Sequence, residues 1–182
     1  MISEVRVITL ENVAEITACH LDSIDEIGSS VVGKRGMRLL ESLKREQLDH
    51  GPYRGVTLFE AAYRIMSDMV ILRGVHWLLK NREFTFHEYT VELGNEDRNG
   101  FDIRASADGA TLVGEAFNVA PSFYQIKKRS AVRKLIAKGH EANHRIVLVN
   151  SDAVTSGYLP KFDPTVRMYT VDIVSGEARR RC

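Results

Sequence analysis

Residues 99–119 read NGFDIRASADGATLVGEAFNV, and this stretch decides the fold. Asp108-Gly109 marks a two-residue hairpin loop, because both central residues of a type I′ turn need positive φ. A turn there sets the register. Ala107 pairs with Ala110, Ser106 with Thr111 and Arg104 with Val113, and Asp102 falls opposite Glu115. Two carboxylates then face each other across a strand pair, with Cβ atoms about 4.5–5.5 Å apart. Like charges so placed repel, and a divalent cation is the expected compensation.

Strand alternation divides the hairpin into two faces. Phe101, Ile103, Ala105, Leu112, Gly114 and Ala116 form an apolar face, expected to meet the core. Asp102, Arg104, Ser106, Thr111, Val113, Glu115 and Phe117 form the other, with its two acids at one end. One reading of that second face is a solvated surface on which Arg104 neutralises an acid diagonally. The acids, however, align with each other and not with Arg104.

The next segment, SFYQIKKRSAVRKLIAKGH (residues 122–140), has helical spacing, with Ser122 as N-cap and Gly139 at its end. Lys127, Lys134 and Lys138 share one stripe of that helix. Such a stripe either solvates a surface or contacts phosphates. Upstream, Thr57 and Glu60 make a capping box for one long helix to Lys80, apolar on most sides in its second half. Phe84 to Leu93 alternates as a strand with an irregularity near His87-Glu88. His144 to Val149 is a strand of the buried kind, and Val166 to Val174 is the last strand, followed by a frayed basic tail. Before residue 56, Val5 to Leu10 reads as a short strand or a helix lead-in. Two helical stretches follow, Asn12 to Ile27 and Met37 to Leu48. The expected fold is α/β, a mixed central sheet flanked by helices, with an N-terminal helical region over 1–55 and a core over 56–182.

This order of helix, strand, Asp-bearing strand, Glu-bearing strand, helix and strand resembles the core of the PD-(D/E)XK nuclease superfamily, the restriction-endonuclease-like fold, over about residues 57–150. Asp102 matches the superfamily aspartate and Glu115 the glutamate of its Glu-x-Lys motif. Phe117 stands where the pattern has lysine. The resemblance implies that the lysine comes from the following helix, as Lys127 or Lys128. It gives Gln125 and Glu60 supporting roles. It implies a Mg²⁺-dependent nuclease (Mn²⁺ as substitute) acting on DNA, with Asp102 and Glu115 as metal ligands and Lys127 catalytic. Lys127, Lys134 and Lys138 would contact nucleic acid. The N-terminal helices would supply homodimer contacts or substrate binding. The departure at Phe117 keeps a second reading open, a nuclease-fold protein that binds nucleic acid or protein without cleaving.

Two other motifs compete. His140-Glu141-Ala142-Asn143-His144 matches the H-E-x-x-H pattern of zinc hydrolases, where two histidines one helical turn apart bind zinc. Gly139 just before it and a strand just after make the context poor, and a third ligand would have to be Asp152, Glu177 or something upstream. Gly28 to Gly36 (GSSVVGKRG) approaches a phosphate-binding loop but lacks the Ser/Thr that would bind Mg²⁺, so a flexible basic loop is expected, with Lys34, Arg35 and Arg38 near phosphates at most. Tyr53, Tyr124 and Tyr158 are candidates to stack on bases.

The bulk numbers exclude several classes. A net charge of +1 removes any global basic signal, so a nucleic-acid contact must be a local patch. Two cysteines, Cys19 and Cys182, make neither a disulfide framework nor a cysteine zinc site. No apolar run approaches the ~18 residues of a membrane span. A soluble cytoplasmic protein without membrane partners is expected.

Overall fold

The computed structural model describes residues 4–49, 52–94, 100–154 and 163–181. Among the described residues, seven strands form one mixed sheet whose spatial order is their chain order. They are β1 (Glu4–Thr9), β2 (Glu88–Leu93), β3 (Ile103–Ala107), β4 (Ala110–Phe117), β5 (His144–Asn150), β6 (Arg167–Val171) and β7 (Ala178–Arg180). The first four run antiparallel in sequence, β4, β5 and β6 are parallel, and β7 returns antiparallel on β6. Among the described residues, four α-helices accompany them: α1 (Val13–Ser29), α2 (Gly36–Arg45), α3 (Leu58–Lys80) and α4 (Tyr124–Lys138). None is long and apolar enough to cross a membrane, among the described residues.

The hairpin turn is the expected one. Asp108 and Gly109 both have positive φ, 50° and 77°. The ladder pairs Ala107 with Ala110, Ser106 with Thr111, Arg104 with Val113 and Ile103 with Gly114. Ile103, Ala105 and Leu112 are buried in the larger core, which α3 covers with Val70, Leu72, Val75 and Leu78. A second core lies on the opposite face under α4, with Phe117, Tyr124, Ala131, Leu135, Val147 and Val149. β5 is thus buried on both faces, Ile146 and Leu148 toward one core and Val147 and Val149 toward the other. A near-continuous apolar run is what such a strand requires.

The long helix begins as its sequence suggests. The Glu60 N–H donates to the Thr57 hydroxyl at 3.3 Å, and the Thr57 N–H donates to the Glu60 carboxylate at 2.9 Å. Several details depart from expectation. Of the two readings of Val5 to Leu10 the strand is the one found, since Glu4–Thr9 pair with β2 at the sheet edge, and the region before residue 56 is therefore not wholly helical. β2 starts only at Glu88, and Phe84 and Phe86 are buried from irregular backbone. Ser122 does not cap α4: a 3-10 turn over Pro121–Phe123 leads in, and Phe123 is the N-cap, without a side-chain bond. Phe101 packs with the second core rather than the first, because the backbone bends at Asp102 and the alternation stops there. The basic tail is not frayed. Asp172 Oδ1 accepts the N–H groups of Val174 and Ser175, and this turn returns Ala178–Arg180 to pair with β6.

Gly114 on β4 leaves no room for a side chain between Ile103 of β3 and Ile146 of β5. A Cβ there would lie 2.7 Å from Ile146 Cγ1 and 3.2 Å from Ile103 Cβ. Gly114→Ala is therefore expected to overpack the core and lower stability by about 1–3 kcal/mol. Urea unfolding measures this, and an unchanged midpoint would mean the three strands are spaced more widely than described.

Candidate active site

The ladder ends at Ile103 opposite Gly114, and Asp102 and Glu115 are the next residues beyond that pair. Asp102 sits at the bend and is stitched to both neighbours. Its Oδ2 accepts the Ala116 N–H at 2.7 Å, and its carbonyl accepts the Glu92 N–H at 3.0 Å. Glu115 is nearly buried and takes its countercharge from α4. Lys134 Nζ lies 2.9 Å from Glu115 Oε1 and 3.1 Å from Oε2. The like-charge opposition is thus relieved in two ways, by a backbone donor for one acid and by an ammonium for the other.

Lys134 reaches Glu115 because it stands beside the residues that pack α4 onto the sheet, Ala131 and Leu135. Lys127 and Lys138 share its stripe but are exposed. The stripe runs over about 16 Å of helix axis, and only one of its lysines is level with Glu115. Lys128 places its ammonium 5.8 Å from the Tyr124 ring. Gln125 is half-buried, with no described contact to either acid. Glu60 is occupied in the capping box. Phe117 is packed into the second core.

The helix acid near the site is Asp68, which sequence reasoning missed. It is 4% exposed. Its Oδ2 accepts both the Tyr53 hydroxyl at 2.6 Å and the Gly94 N–H at 2.7 Å. Burial pushes its carboxyl up to about 7, against the pull of those two donors, and the charge of Asp102 adds to the rise. Next to it, the Ser67 hydroxyl accepts the Asn118 N–H at 3.2 Å. Adjacent residues of α3 therefore hold the segments just after β2 and β4, on either side of Asp102. The Tyr53 oxygen also lies 3.3 Å from His20 Nε2. Its hydrogen goes to Asp68, so this contact requires a hydrogen on Nε2. Burial lowers the His20 pKa to about 4, which keeps the ring neutral. A signal for Asp68 was present: a carboxylate inside an otherwise apolar helix half needs partners. Glu92, buried on β2 beside Asp102, was missed as well.

The competing motifs are arranged otherwise. His140 to Ala142 form a turn, and His144 opens β5, its ring 5.0 Å from that of Phe84 and 6.1 Å from that of Phe86. Arg145 closes this turn by donating to the carbonyls of Gly139 and His140. The two histidines are not one helical turn apart, which the zinc pattern needs. The glycine-rich stretch follows a helix, not a strand, and Lys34 is tied to Ser42 and Glu46 at 2.6 Å each. Tyr53 and Tyr124 are buried, while Tyr158 and Cys182 lie outside the described residues. Among the described residues, no group of three or more His, Cys, Asp or Glu side chains is gathered closely enough to hold a metal ion. The chain matches no protein-family model, no curated protein and no solved structure.

Asp68 carries a pH dependence of known sign. An ordinary aspartate ionises near 3.8, the folded one only near 7. Its contribution to stability is therefore full below about 3.8 and is lost as the pH rises through 7. Asp68→Asn keeps a carbonyl oxygen for both donors and removes the ionisation. It is expected to raise stability at pH 8 by up to about 4 kcal/mol and to change little at pH 4. Urea titrations at the two pH values decide it, and equal effects at both would show that Asp68 ionises normally.

Proposed function

We propose that this protein is a metal-dependent nuclease of restriction-endonuclease-like fold that hydrolyses phosphodiester bonds in DNA. One observation carries the reading: Asp102, at the bend just before β3, accepts the N–H of Ala116, the residue after Glu115 on β4, and Lys134 from the next helix reaches Glu115. The succession α3, β2, β3, β4, α4, β5 supports it, with antiparallel β2–β3–β4 and β5 parallel to β4. That succession follows the core of the PD-(D/E)XK superfamily.

The donor set suits a hard cation, since both acids offer carboxylate oxygen. Asp102 and Glu115 would hold Mg²⁺ or Mn²⁺. A metal there supplies a bound water of lowered pKa and offsets phosphoryl charge. Lys134, and not Lys127, takes the role of the superfamily lysine, because it is the one that reaches Glu115. Its ammonium, already at Glu115, orients the attacking water or balances charge on the phosphate. Ser67 and Asp68 act as positioning residues, by fixing the backbone on either side of Asp102.

A second reading, binding without cleavage, is favoured by one feature. Lys134 lies within ion-pair distance of both oxygens of Glu115, so that acid already has a countercharge from the protein itself.

Plasmid and single-stranded DNA incubated with the purified chain in Mg²⁺ or Mn²⁺ test the proposal. Cleavage is expected with metal and not with EDTA. Asp102→Asn and Glu115→Gln are expected to lose at least about 100-fold, and Lys134→Met to lose far more than Lys127→Ala. Wild-type rates in the two acid variants would remove the assignment. Binding without cleavage under every metal condition would select the second reading.

A further inference from the structure

The first turns of α3 lie beyond the sheet. Ser67 and Asp68 bond the N–H groups of Asn118 and Gly94, the residues that follow β4 and β2. Residues 58–66 come before that level, and Ala61 and Ile65 pack with Ile27, Leu48 and Tyr53 instead of on the sheet. Farther along α3, Gly74 rests on Leu148 and Val171, so the stripe of Ser67 and Gly74 is the one turned to the strands. Tyr63, one turn before Ser67, continues that stripe where no strand among the described residues covers it.

Tyr63 is 63% exposed and Phe59 46%, and their rings meet edge to face at 5.6 Å. α2 comes alongside them, because Gln47, two residues after it, bridges to Thr57 at the start of α3. Lys44 of α2 sets its ammonium 4.6 Å from the centre of the Phe59 ring. Leu40 and Met37 precede Lys44 by four and seven residues on the same stripe, and both are exposed. Met37, Leu40, Lys44, Phe59 and Tyr63 thus form one continuous surface.

Charge selects what such a surface takes. Arg38, Lys44 and Arg45 of α2 and Arg64 of α3 are exposed. Against them stand Glu41, also exposed, and Glu60, whose carboxylate is held by the N–H and hydroxyl of Thr57. Lys34 and Glu46 offset each other at 2.6 Å. A chain of net charge +1 therefore gathers an excess of cations around two exposed rings. A partner with regularly spaced anions and flat apolar faces between them matches both features. Single-stranded nucleic acid is such a partner, its bases stacking on aromatic rings and its phosphates meeting cations.

We propose that Tyr63 and Phe59, flanked by Lys44, form a stacking platform for single-stranded nucleic acid. The choice of ligand rests on the nuclease reading; the platform itself is separate from Asp102 and Glu115 and takes no part in hydrolysis. Tyr63 carries the stacked base, since its ring is the more exposed, and Lys44 meets a neighbouring phosphate.

Anisotropy of a fluorescein-labelled oligothymidylate, read across a salt series in Asp102→Asn protein to suppress cleavage, tests the platform. Tyr63→Ala is expected to weaken binding at least about fivefold, and Tyr63→Phe, which keeps the ring, to restore it. An abasic oligomer of the same length, with phosphates but no bases, is expected to bind both Tyr63 variants equally. Lys44→Gln is expected to lower the slope of log K against log salt by about 0.7, one phosphate contact on a single strand. It reports on the platform independently of any change that Tyr63→Ala makes to α3. In cleavage kinetics of the otherwise wild-type chain, Tyr63→Ala is expected to raise KM for single-stranded DNA and to leave kcat within about twofold.

Equal affinity of Tyr63→Ala and Tyr63→Phe for oligothymidylate, with an unchanged salt slope in Lys44→Gln, would overturn the platform and leave any cleavage by Asp102 and Glu115 standing. Tyr63-dependent binding in a wild-type chain that never cleaves would support the platform and overturn the nuclease reading. A dimer in sedimentation equilibrium that Tyr63→Ala dissolves would assign the face to a second copy and overturn the proposal. Tyr63-dependent binding of phosphatidylserine vesicles without binding of oligothymidylate would assign it to a membrane surface and overturn it as well.

Discussion

Two carboxylates brought together at the open end of the β3–β4 hairpin are the constraint around which this end of the sheet is arranged. The pairing is enforced by the hairpin register, and the strands cannot slip by one residue without moving Ile103, Ala105 and Leu112 out of the core. The repulsion therefore has to be met locally. Asp102 bends out of the ladder and takes the Ala116 N–H, and Glu115 takes Lys134. Because Glu115 is close to fully buried, removing its ammonium would leave a charge in poor solvent, a costlier defect than loss of an exposed pair. α4 is thus bound to the sheet by an electrostatic contact as well as by Tyr124, Ala131 and Leu135.

The two helices on the sheet divide the work. α3 lies over the larger core and fastens the site end of the sheet from behind, through Ser67 to Asn118 and Asp68 to Gly94. α4 lies over the smaller core and delivers the cation from the front. The N-terminal segment joins this arrangement through Tyr53, which bonds Asp68, and through His20 behind it. Ile27, Leu48, Tyr53, Ala61 and Ile65 form a third apolar cluster that keeps these elements together. The helices before residue 56 are therefore part of the support of the acid end of the sheet, and β1 extends that sheet on its edge.

How much of this was legible in the sequence depended on the range of the forces involved. The hairpin, its turn and its register are local, and residues 99–119 carry them in full. The α3 start is local as well, since Thr57 and Glu60 cap each other within one turn. The lysine was harder. Helical periodicity places Lys127, Lys134 and Lys138 on one stripe but says nothing about which is level with Glu115; the docking height of α4 on β4 decides that. Glu60 offers a visible acid one turn into α3, yet its carboxylate is spent on the helix end. Asp68 was hidden because its partners, Tyr53 and Gly94, come from distant parts of the chain. β7 was passed over for another reason: a strand of three residues with Ala178 alone turned inward has no alternation to detect.

The type I′ turn at Asp108-Gly109 acts on the acid site from a distance. Each strand of the hairpin works as a ruler, with the turn as its zero mark and the two carboxylates about 20 Å away at the other end. One residue added to the turn would shift one ruler against the other by a single division, and the parity of the side chains would reverse. Asp102 and Glu115 would then point to opposite faces of the sheet without either having been altered. The stereochemistry of two residues with positive φ, at a point that no substrate of this site need touch, is in this sense part of the site's own specification.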